Sequence, residues 1–250
     1  MTASEDRTVF LLAVQFLTRI PVRPAYSAAL MARIPRWFPA VGALVGLLTG
    51  IVFWLAAAVW PPVIAALAAT AAGLLLTGAF HEDGFADCCD GLGGGASRER
   101  ALEIMRDSRL GTYGTAGLTV MLAAKVAALA ALPHVAWVLV AAHAASRASA
   151  VLVLAGSRYL RDSGSGKPVS EGIRRDDLRV GLATAAAALL PLLLAAGPLA
   201  ALAGLAGAAA GHLAMRRVFE RRLGGYTGDC LGAVQQCSEV GFYLGLLAWL

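Results

Sequence analysis

A cluster of carboxylates lies between positions 82 and 107, a stretch that holds seven of the sixteen acidic residues in this 250-residue chain. Within HEDGFADCCDGLGGG, which begins at His81, the aspartates Asp83, Asp87 and Asp90 are four and three positions apart. A helix turns by about 100° per residue, so this spacing would put the three carboxylates on one helical face, within about 60° of one another. Glu82 would flank that face.

Carboxylates stacked in this way need compensation, because like charges repel and an unpaired charge is costly to desolvate at a membrane boundary. A divalent metal is the simplest remedy. Oxygen ligands without Cys or His favour Mg²⁺, or Mn²⁺, over zinc, and Mg²⁺ commonly shares its coordination among a few carboxylates, water and a substrate phosphate. The candidate metal ligands are Glu82, Asp83, Asp87 and Asp90. The alternative is an ordinary solvated helix surface.

The next predicted helix carries groups that suit phosphate oxygens, because guanidinium groups bind phosphate in a bidentate manner. The candidate substrate contacts in this segment are Arg98, Arg100, Arg106, Asp107, Ser108 and Arg109. The arginines could instead be topology determinants that bind lipid headgroups. His81 is a candidate base or metal ligand, although a lone histidine at a helix end is more often a hydrogen-bonded boundary residue.

The composition predicts that helices in a bilayer position these groups. The chain is 58% hydrophobic and 15% charged, whereas soluble proteins are about 45–50% apolar and about 25% charged. Its apolar runs are about 20 residues long, which suits helices that cross a hydrocarbon core of about 30 Å. We predict an all-α, polytopic membrane bundle, a single domain over residues 1–250 with about seven transmembrane helices. The candidate spans are Trp37–Trp60, Pro62–Phe80, Leu110–Leu132, Val135–Gly156, Val180–Gly197, Pro198–Met215 and Leu231–Leu250.

Prolines and glycines mark tight reversals between consecutive spans. Proline lacks the donor needed inside a helix and restricts the residue before it. The reversals lie at Pro61–Pro62, Pro133 and Gly197–Pro198, and they predict three helical hairpins. The small residues that dominate the spans predict close helix packing, and such faces would also suit self-association into a homo-oligomer.

The basic residues predict the orientation of the bundle. Of the 21 Lys and Arg residues, all except Lys125 and Arg147 lie in residues 1–36, 81–109, 157–179 and 216–222. Cytoplasmic loops carry such an excess. The pattern therefore places the N-terminus, every long loop and the active site on the cytoplasmic side of the cell membrane. Because this orientation explains the basic residues, the net charge of +5 does not indicate that the protein binds nucleic acid. Residues 1–36 would form a cytoplasmic or interfacial segment.

Several stretches carry a family resemblance. HEDGFADCCDGLGGG, followed by ALEIMRDSRLGTYG, closely resembles the cobalamin synthase family, the adenosylcobinamide-GDP ribazoletransferases. The likeness extends to QFLTRIPV and WFPAVGALVG before this motif and to GGYTGDCLGA near the end of the chain. It therefore covers nearly the whole chain in the same order. The acidic motif is specific in combination, whereas DGxxD alone would be weak.

The resemblance implies a Mg²⁺-dependent reaction in which α-ribazole, or its 5′-phosphate, attacks the phosphorus that links cobinamide to GMP. GMP leaves, and the nucleotide loop of cobalamin is completed. The carboxylates would hold metal that stabilises the leaving phosphate, and one aspartate could take the proton of the attacking hydroxyl. Which aspartate acts as base stays open. The catalytic candidates are His81, Asp83, Asp87 and Asp90, and Asp229 in GGYTGDCLGA is a further substrate-site candidate.

Two other residues within the spans have two interpretations. Lys125 and Glu239 could serve function, since ionisable residues in membrane helices often do, or they could simply neutralise each other.

Three rival functions differ from ribazole transfer in what they require. A CDP-alcohol phosphotransferase also uses a DG-containing multi-aspartate motif, but Asp87 stands where that pattern has arginine and Asp90 follows too soon. A divalent cation transporter predicts charges deep inside paired broken helices, rather than acids beside arginines. A structural scaffold would not need the aspartate spacing at all.

Overall fold

The computed structural model describes residues 1–107, 109–161, 169 and 173–250, and the described residues form eleven α-helices without a regular β-strand. The helices are α1 (Ala3–Leu17), α2 (Ala28–Met31), α3 (Phe38–Ala57), α4 (Pro62–Thr77), α5 (Phe80–Gly94), α6 (Arg98–Ile104), α7 (Thr112–Ala131), α8 (Val135–Gly156), α9 (Arg175–Ala196), α10 (Pro198–Leu223) and α11 (Gly228–Trp249). A short 3₁₀ helix, Ile34–Trp37, runs into α3. The predicted all-α class is confirmed.

Within the described ranges, five segments are long and apolar enough to cross a membrane. They are Ile34–Ala57, which joins the 3₁₀ helix to α3, and the helices α7, α8, α9 and α10. α4 and α5 would make a sixth if they form one span, although they meet at an angle of 91°. The predicted count of seven is therefore not confirmed. α11 is not among the five, because Asp229, Gln236 and Glu239 reduce its apolar character.

The predicted reversals are helix boundaries. α4 begins at Pro62, α8 begins two residues after Pro133, and α10 begins at Pro198. Two of the three predicted hairpins also pack as neighbours, α3 with α4 and α9 with α10. The third is not confirmed, because α7 packs mainly against α4, α5 and α11 and α8 mainly against α3, α9 and α11, although the facing ends of α7 and α8 share one apolar cluster.

Small residues bring the inner helix α8 close to its neighbour α3. Gly42, Gly46 and Gly50 lie at four-residue intervals on α3 and face the backbone of α8. A Cβ atom on Gly46 would overlap with the carbonyl group of Leu139. This is the close small-residue packing that the composition predicts.

The N-terminal segment packs onto the bundle. A capping box between Thr2 and Glu5 begins α1, and Val9, among other residues of α1, is buried in the main apolar core. The Arg33 guanidinium donates to Asp177 at the start of α9, with an Nη2–Oδ1 distance of 2.7 Å.

A sharp bend between α4 and α5 positions the acidic motif. Gly78 and Ala79 have φ values of 68° and 56°, in the left-handed region. Glycine adopts this conformation freely, but for alanine it costs about 1 kcal/mol or more. The bend turns α5 away from the line of α4, and α5 then packs against α7 and α11.

Candidate functional site

The four acidic residues of α5 lie in four different surroundings. Glu82 is buried and turns into the bundle, whereas Asp83 lines an open cavity. Asp87 is half-buried and interacts electrostatically with Asp83, Asp229 and Asp90. The helical geometry does put the aspartates on one side, but the side chains that surround α5 give each carboxylate a separate role.

Asp90 holds the start of α7. The backbone N–H of Gly111 donates to Asp90 Oδ2 at 2.7 Å, and the N–H of Gly114 donates to Oδ1 at 2.8 Å. A carboxylate at a helix N-terminus satisfies amides that have no partner within the helix and interacts favourably with the helix dipole. Both oxygens of Asp90 are therefore engaged in joining α5 to α7.

Asp83 shares its cavity with residues distant in sequence. The cavity has a volume of about 160 Å³, and Asp83, Arg161 and Asp229 are among its lining residues. Arg161 Nη2 donates to Asp229 Oδ2 at 2.6 Å and also contacts the Met105 carbonyl oxygen at 3.2 Å. The Thr227 hydroxyl donates to the same Asp229 oxygen at 3.2 Å. Two carboxylates and one guanidinium thus converge from three segments.

Backbone contacts explain this convergence. A short parallel bridge pairs Tyr159 with Tyr226. In it the Leu160 N–H donates to the Tyr226 carbonyl at 3.0 Å, and the Tyr226 N–H donates to the Arg158 carbonyl at 2.8 Å. The bridge joins the segment after α8 to the segment before α11 and brings Arg161 to Asp229. Gly84 completes the site, because a Cβ there would lie 3.0 Å from the Asp229 backbone, so α5 and α11 can approach closely.

His81 lines two cavities. It is buried, lines the cavity of Asp83, and also lines a smaller polar cavity on the other side of α5. Its ring lies edge-on to Phe80, with 5.4 Å between ring centroids. The structure therefore brings this candidate close to the site, through packing rather than through a hydrogen bond to a carboxylate among the described residues.

The smaller polar cavity is formed by a buried ion network. Lys125 Nζ lies 2.9 Å from Glu239 Oε1 and 3.5 Å from Glu82 Oε1. Gln236 Nε2 donates to the same Glu82 oxygen at 2.9 Å. Arg147 Nη1 lies 4.0 Å from Glu239 Oε2. Of the two interpretations left open for Lys125 and Glu239, the structure shows the ion pair between them, and Glu82 belongs to this network.

Ligand donors in the described chain do not form a complete metal site. No group of three His, Cys, Asp or Glu side chains within the described ranges is close enough to hold a metal ion without other ligands. The donor chemistry still fits Mg²⁺, which commonly takes one or two carboxylates and completes its coordination with water and substrate phosphate. Asp83 and Asp229 offer such oxygens around one cavity, and Asp87 is near enough to interact electrostatically with both.

Comparison with known proteins identifies the family. The chain matches the family model described as cobalamin-5-phosphate synthase over residues 9–247. The chain belongs to this family. A relative from Leptothrix cholodnii, named adenosylcobinamide-GDP ribazoletransferase, is 47% identical, with 97% of this chain and 96% of the relative covered. Relatives with the same name from Ralstonia pickettii and Vibrio parahaemolyticus are 44% and 40% identical, over 95% and 96% of this chain and 94% and 92% of their own lengths. No solved structure matches the chain.

In this member of the cobalamin-5-phosphate synthase family, the predicted arginines lie around a second, more open space. Arg100, Arg106, Asp107 and Arg109 line a surface groove of about 500 Å³ that borders Asp90. Arg98 is exposed at the start of α6. The groove and the Asp83 cavity share no lining residue within the described chain. The structure thus does not bring these arginines to Asp83 or Asp229.

The groove arginines are largely engaged with neighbouring acids. Arg109 and Asp107 form an exposed ion pair at 2.5 Å, and this hydrogen-bonded partner lowers the pKa of Asp107 to about 2. Arg100 pairs with Glu103 at 2.7 Å. The candidate Ser108 lies outside the described residues.

Sequence reasoning missed Arg161 as a site residue. It counted Arg161 only among the basic residues of the loop 157–179. No local spacing connects positions 161 and 229, so the available signals were the positive charge and the family stretch that contains Asp229.

Proposed function

We propose that this chain transfers the cobinamide-phosphate group of adenosylcobinamide-GDP to α-ribazole or its 5′-phosphate, with release of GMP. The product would be adenosylcobalamin or its 5′-phosphate, at a late step of vitamin B12 biosynthesis. The relatives named adenosylcobinamide-GDP ribazoletransferase support this proposal over nearly their full length. The observation that carries it is the cavity where Asp83, Asp229 and Arg161 converge.

The cofactor in this proposal is Mg²⁺, with Mn²⁺ as a substitute. One or two of the carboxylates of Asp83, Asp87 and Asp229 would hold it together with the substrate diphosphate, because Mg²⁺ needs only one or two carboxylates beside phosphate oxygens. When bound, Mg²⁺ neutralises diphosphate charge and stabilises the departing GMP. Glu82 and Asp90 belonged to the predicted ligand set, but Lys125 and two backbone amides engage them.

The chain's own residues would then carry out three tasks. Asp229, fixed by Arg161 and Thr227, presents one oriented carboxylate. Arg161 is near enough to neutralise charge on a phosphate beside Asp229. Asp87, half-buried among other carboxylates, is suited to accept the proton of the attacking ribazole hydroxyl. That oxygen bonds to the cobinamide-linked phosphorus as the bond to the GMP oxygen breaks.

The location in this proposal is the cytoplasmic membrane, with the site open to the cytoplasm. The distribution of basic residues supports it, because the connections at Pro61–Pro62, Pro133 and Gly197–Pro198 carry no Lys or Arg. Self-association through small-residue helix faces stays a prediction.

Turnover in lipid tests the proposal. Purified protein would receive adenosylcobinamide-GDP and α-ribazole with Mg²⁺ or with a chelator, and cobalamin and GMP would be measured. We expect product only when the metal is present. In Asp83→Asn, turnover should fall about 10²-fold or more, the size of loss that follows removal of one group that stabilises charge in an active site. Asp176→Asn is the matched control, because Asp176 is exposed and its ion pair is with the exposed Arg179.

Folded protein that makes no product from either form of ribazole would overturn the assignment. Conversion of a CDP-alcohol instead, or cation flux into vesicles, would support one of the rival functions.

A further inference from the structure

The Asp83 cavity has two chemically different ends. One end carries Asp83, Arg161 and Asp229, as described above. The other end is lined by apolar and aromatic side chains, among them Phe16, Phe38 and Phe80. A substrate that fills the cavity should therefore be polar and hydroxylated at one end and flat and apolar at the other.

The aromatic end is assembled from three elements. Phe16 of α1 stacks on Phe38 of α3, with 6.0 Å between ring centroids and an interplanar angle of 5°. Phe80 at the start of α5 meets Phe16 edge-on at 5.6 Å. Such ring arrangements readily admit another aromatic ring at an open face or edge. Because Phe80 is only three residues from Asp83, the aromatic end is directly connected to the carboxylate end.

A tyrosine hydroxyl adds a second sign of a ligand. Tyr226 lines the cavity and is fully buried. Its hydroxyl has no hydrogen-bond partner within the described part of the chain. A buried hydroxyl without a partner costs about 1–3 kcal/mol, so an incoming polar group that pairs with it would be favoured.

We propose that this aromatic end binds the benzimidazole base of the acceptor nucleoside, ribazole, with its ribose directed to Asp83 and Asp229. This inference rests on the proposed function and names the half of the site that the acceptor occupies. The cavity volume of about 160 Å³ resembles that of a known apolar cavity of about 150 Å³ that admits benzene. It therefore suits a small ring system and is far too small for a corrinoid.

The chemistry of the walls distinguishes ribazole from the guanine of the donor. Guanine has polar groups around its edge, and burying them against phenylalanine rings would leave them without hydrogen bonds. Dimethylbenzimidazole carries two methyl groups instead, and each buried methyl is favourable. The three phenylalanine rings would thus favour ribazole over guanosine, although His81, Arg147 and Tyr226 also line the cavity and offer polar groups.

Separate KM values for the two substrates test the inference in Phe80→Ala. Phe80 is 45% exposed, so its truncation should leave the fold intact. The control is Tyr26→Ala, which removes a ring that is 71% exposed and lies outside the cavity. We expect the KM for ribazole to rise about tenfold in Phe80→Ala, as for the loss of one stacking partner, with the KM for adenosylcobinamide-GDP within about twofold of wild type. Tyr26→Ala should resemble wild type.

A nucleoside series sharpens the test without any mutation. Benzimidazole riboside, which lacks the two methyl groups, should bind wild-type protein about tenfold more weakly than ribazole. In Phe80→Ala, the difference in affinity between ribazole and benzimidazole riboside should be smaller, because one of the rings that contact the methyl groups is absent.

Direct binding of ribazole in the absence of donor separates this inference from the proposed function. Binding that depends on Phe80 without turnover would support the base site and overturn the reaction. A donor KM that rises while the ribazole KM stays constant, or ribazole affinity that does not change in Phe80→Ala, would overturn the base site. The latter result would be expected if a lipid chain fills the aromatic end.

Discussion

Glu82 and Asp83 are neighbours in the chain, but their carboxylates lie on opposite sides of α5. The Glu82 side is closed, because Lys125 and Gln236 contact the Glu82 carboxylate and the surrounding space is small. The Asp83 side opens into a cavity with Asp229 and Arg161. The closed side contains nearly balanced charges and serves mainly to hold α5, whereas the open side retains excess negative charge that a cation and a phosphate could share.

This difference shows how one acidic motif can combine structure and chemistry. A buried ion pair is weak evidence for net stability, but removal of one partner leaves a buried charge without compensation. The Asp83 carboxylate can lose its charge at little cost to folding, because Asp83 is exposed to solvent. Stability and activity should therefore respond separately to substitutions on the two sides.

The largest expected effect on stability follows from Glu239→Gln. This change leaves Lys125 and Arg147 buried without their shared acid and should destabilise the protein by about 3–5 kcal/mol. Unfolding in detergent measures the loss. Glu103→Gln, which breaks only an exposed pair with Arg100, should change stability by less than about 1 kcal/mol. Similar stability in both variants would show that the network does not hold the bundle.

The open side should be sensitive to Arg161→Lys. Lysine keeps the charge, but its shorter side chain would leave the ammonium short of the position from which Arg161 Nη2 contacts both Asp229 and the Met105 carbonyl. We expect activity to fall about tenfold, with a change in stability below about 1 kcal/mol. Steady-state kinetics and unfolding of the same preparation provide the two measurements. A large stability loss with normal kinetics would assign Arg161 to the fold alone.

Substitutions of Asp90 distinguish a structural role at the start of α7 from a role as a metal ligand. Asp90→Ala removes both acceptors at the start of α7 and should destabilise the protein by about 1–2 kcal/mol. Asp90→Asn retains one acceptor and should lose less. If Asp90→Asn instead abolished Mg²⁺ dependence while stability stayed normal, Asp90 would be a metal ligand.

The smallest expected effect on stability follows from substitutions at the bend between α4 and α5. Ala79→Gly relieves a left-handed alanine and should stabilise the protein by about 0.5–1 kcal/mol, since glycine's greater freedom in the unfolded chain offsets part of the gain. Gly78→Ala should destabilise it, because φ is 68° there and the new Cβ would overlap with Arg19. Thermal unfolding of the two variants should therefore shift in opposite directions.

Local signals in the sequence predicted much of the fold. Apolar runs and prolines gave the helical class and the boundaries at Pro62 and Pro198, because these depend on neighbouring residues alone. The packing of α7 mainly against α4, α5 and α11 was not predictable in the same way. It depends on contacts such as that of Asp90 with Gly111, which join residues 21 positions apart.

The candidate site was predicted in outline. Asp83 and Asp229 do line one cavity, whereas Asp90, on the same helical face, binds the start of α7, and the flanking Glu82 joins the buried ion network. Helical periodicity predicts the direction in which a side chain points from the helix axis, but it does not predict which residues of other helices lie in that direction. The approach of Arg161 to Asp229 spans 68 positions and requires the folded bridge between Tyr159 and Tyr226.

The most direct test of the two-sided helix compares Glu82→Gln with Asp83→Asn by unfolding and by Mg²⁺ titration of turnover. We predict that Glu82→Gln unfolds several degrees earlier, by about 4 °C or more, and keeps its half-saturating Mg²⁺ concentration within about twofold of wild type. Asp83→Asn should keep its unfolding temperature and lose turnover or require about tenfold more Mg²⁺. If both variants changed the Mg²⁺ requirement equally and neither changed stability, the two carboxylates would belong to one site and the account would be contradicted.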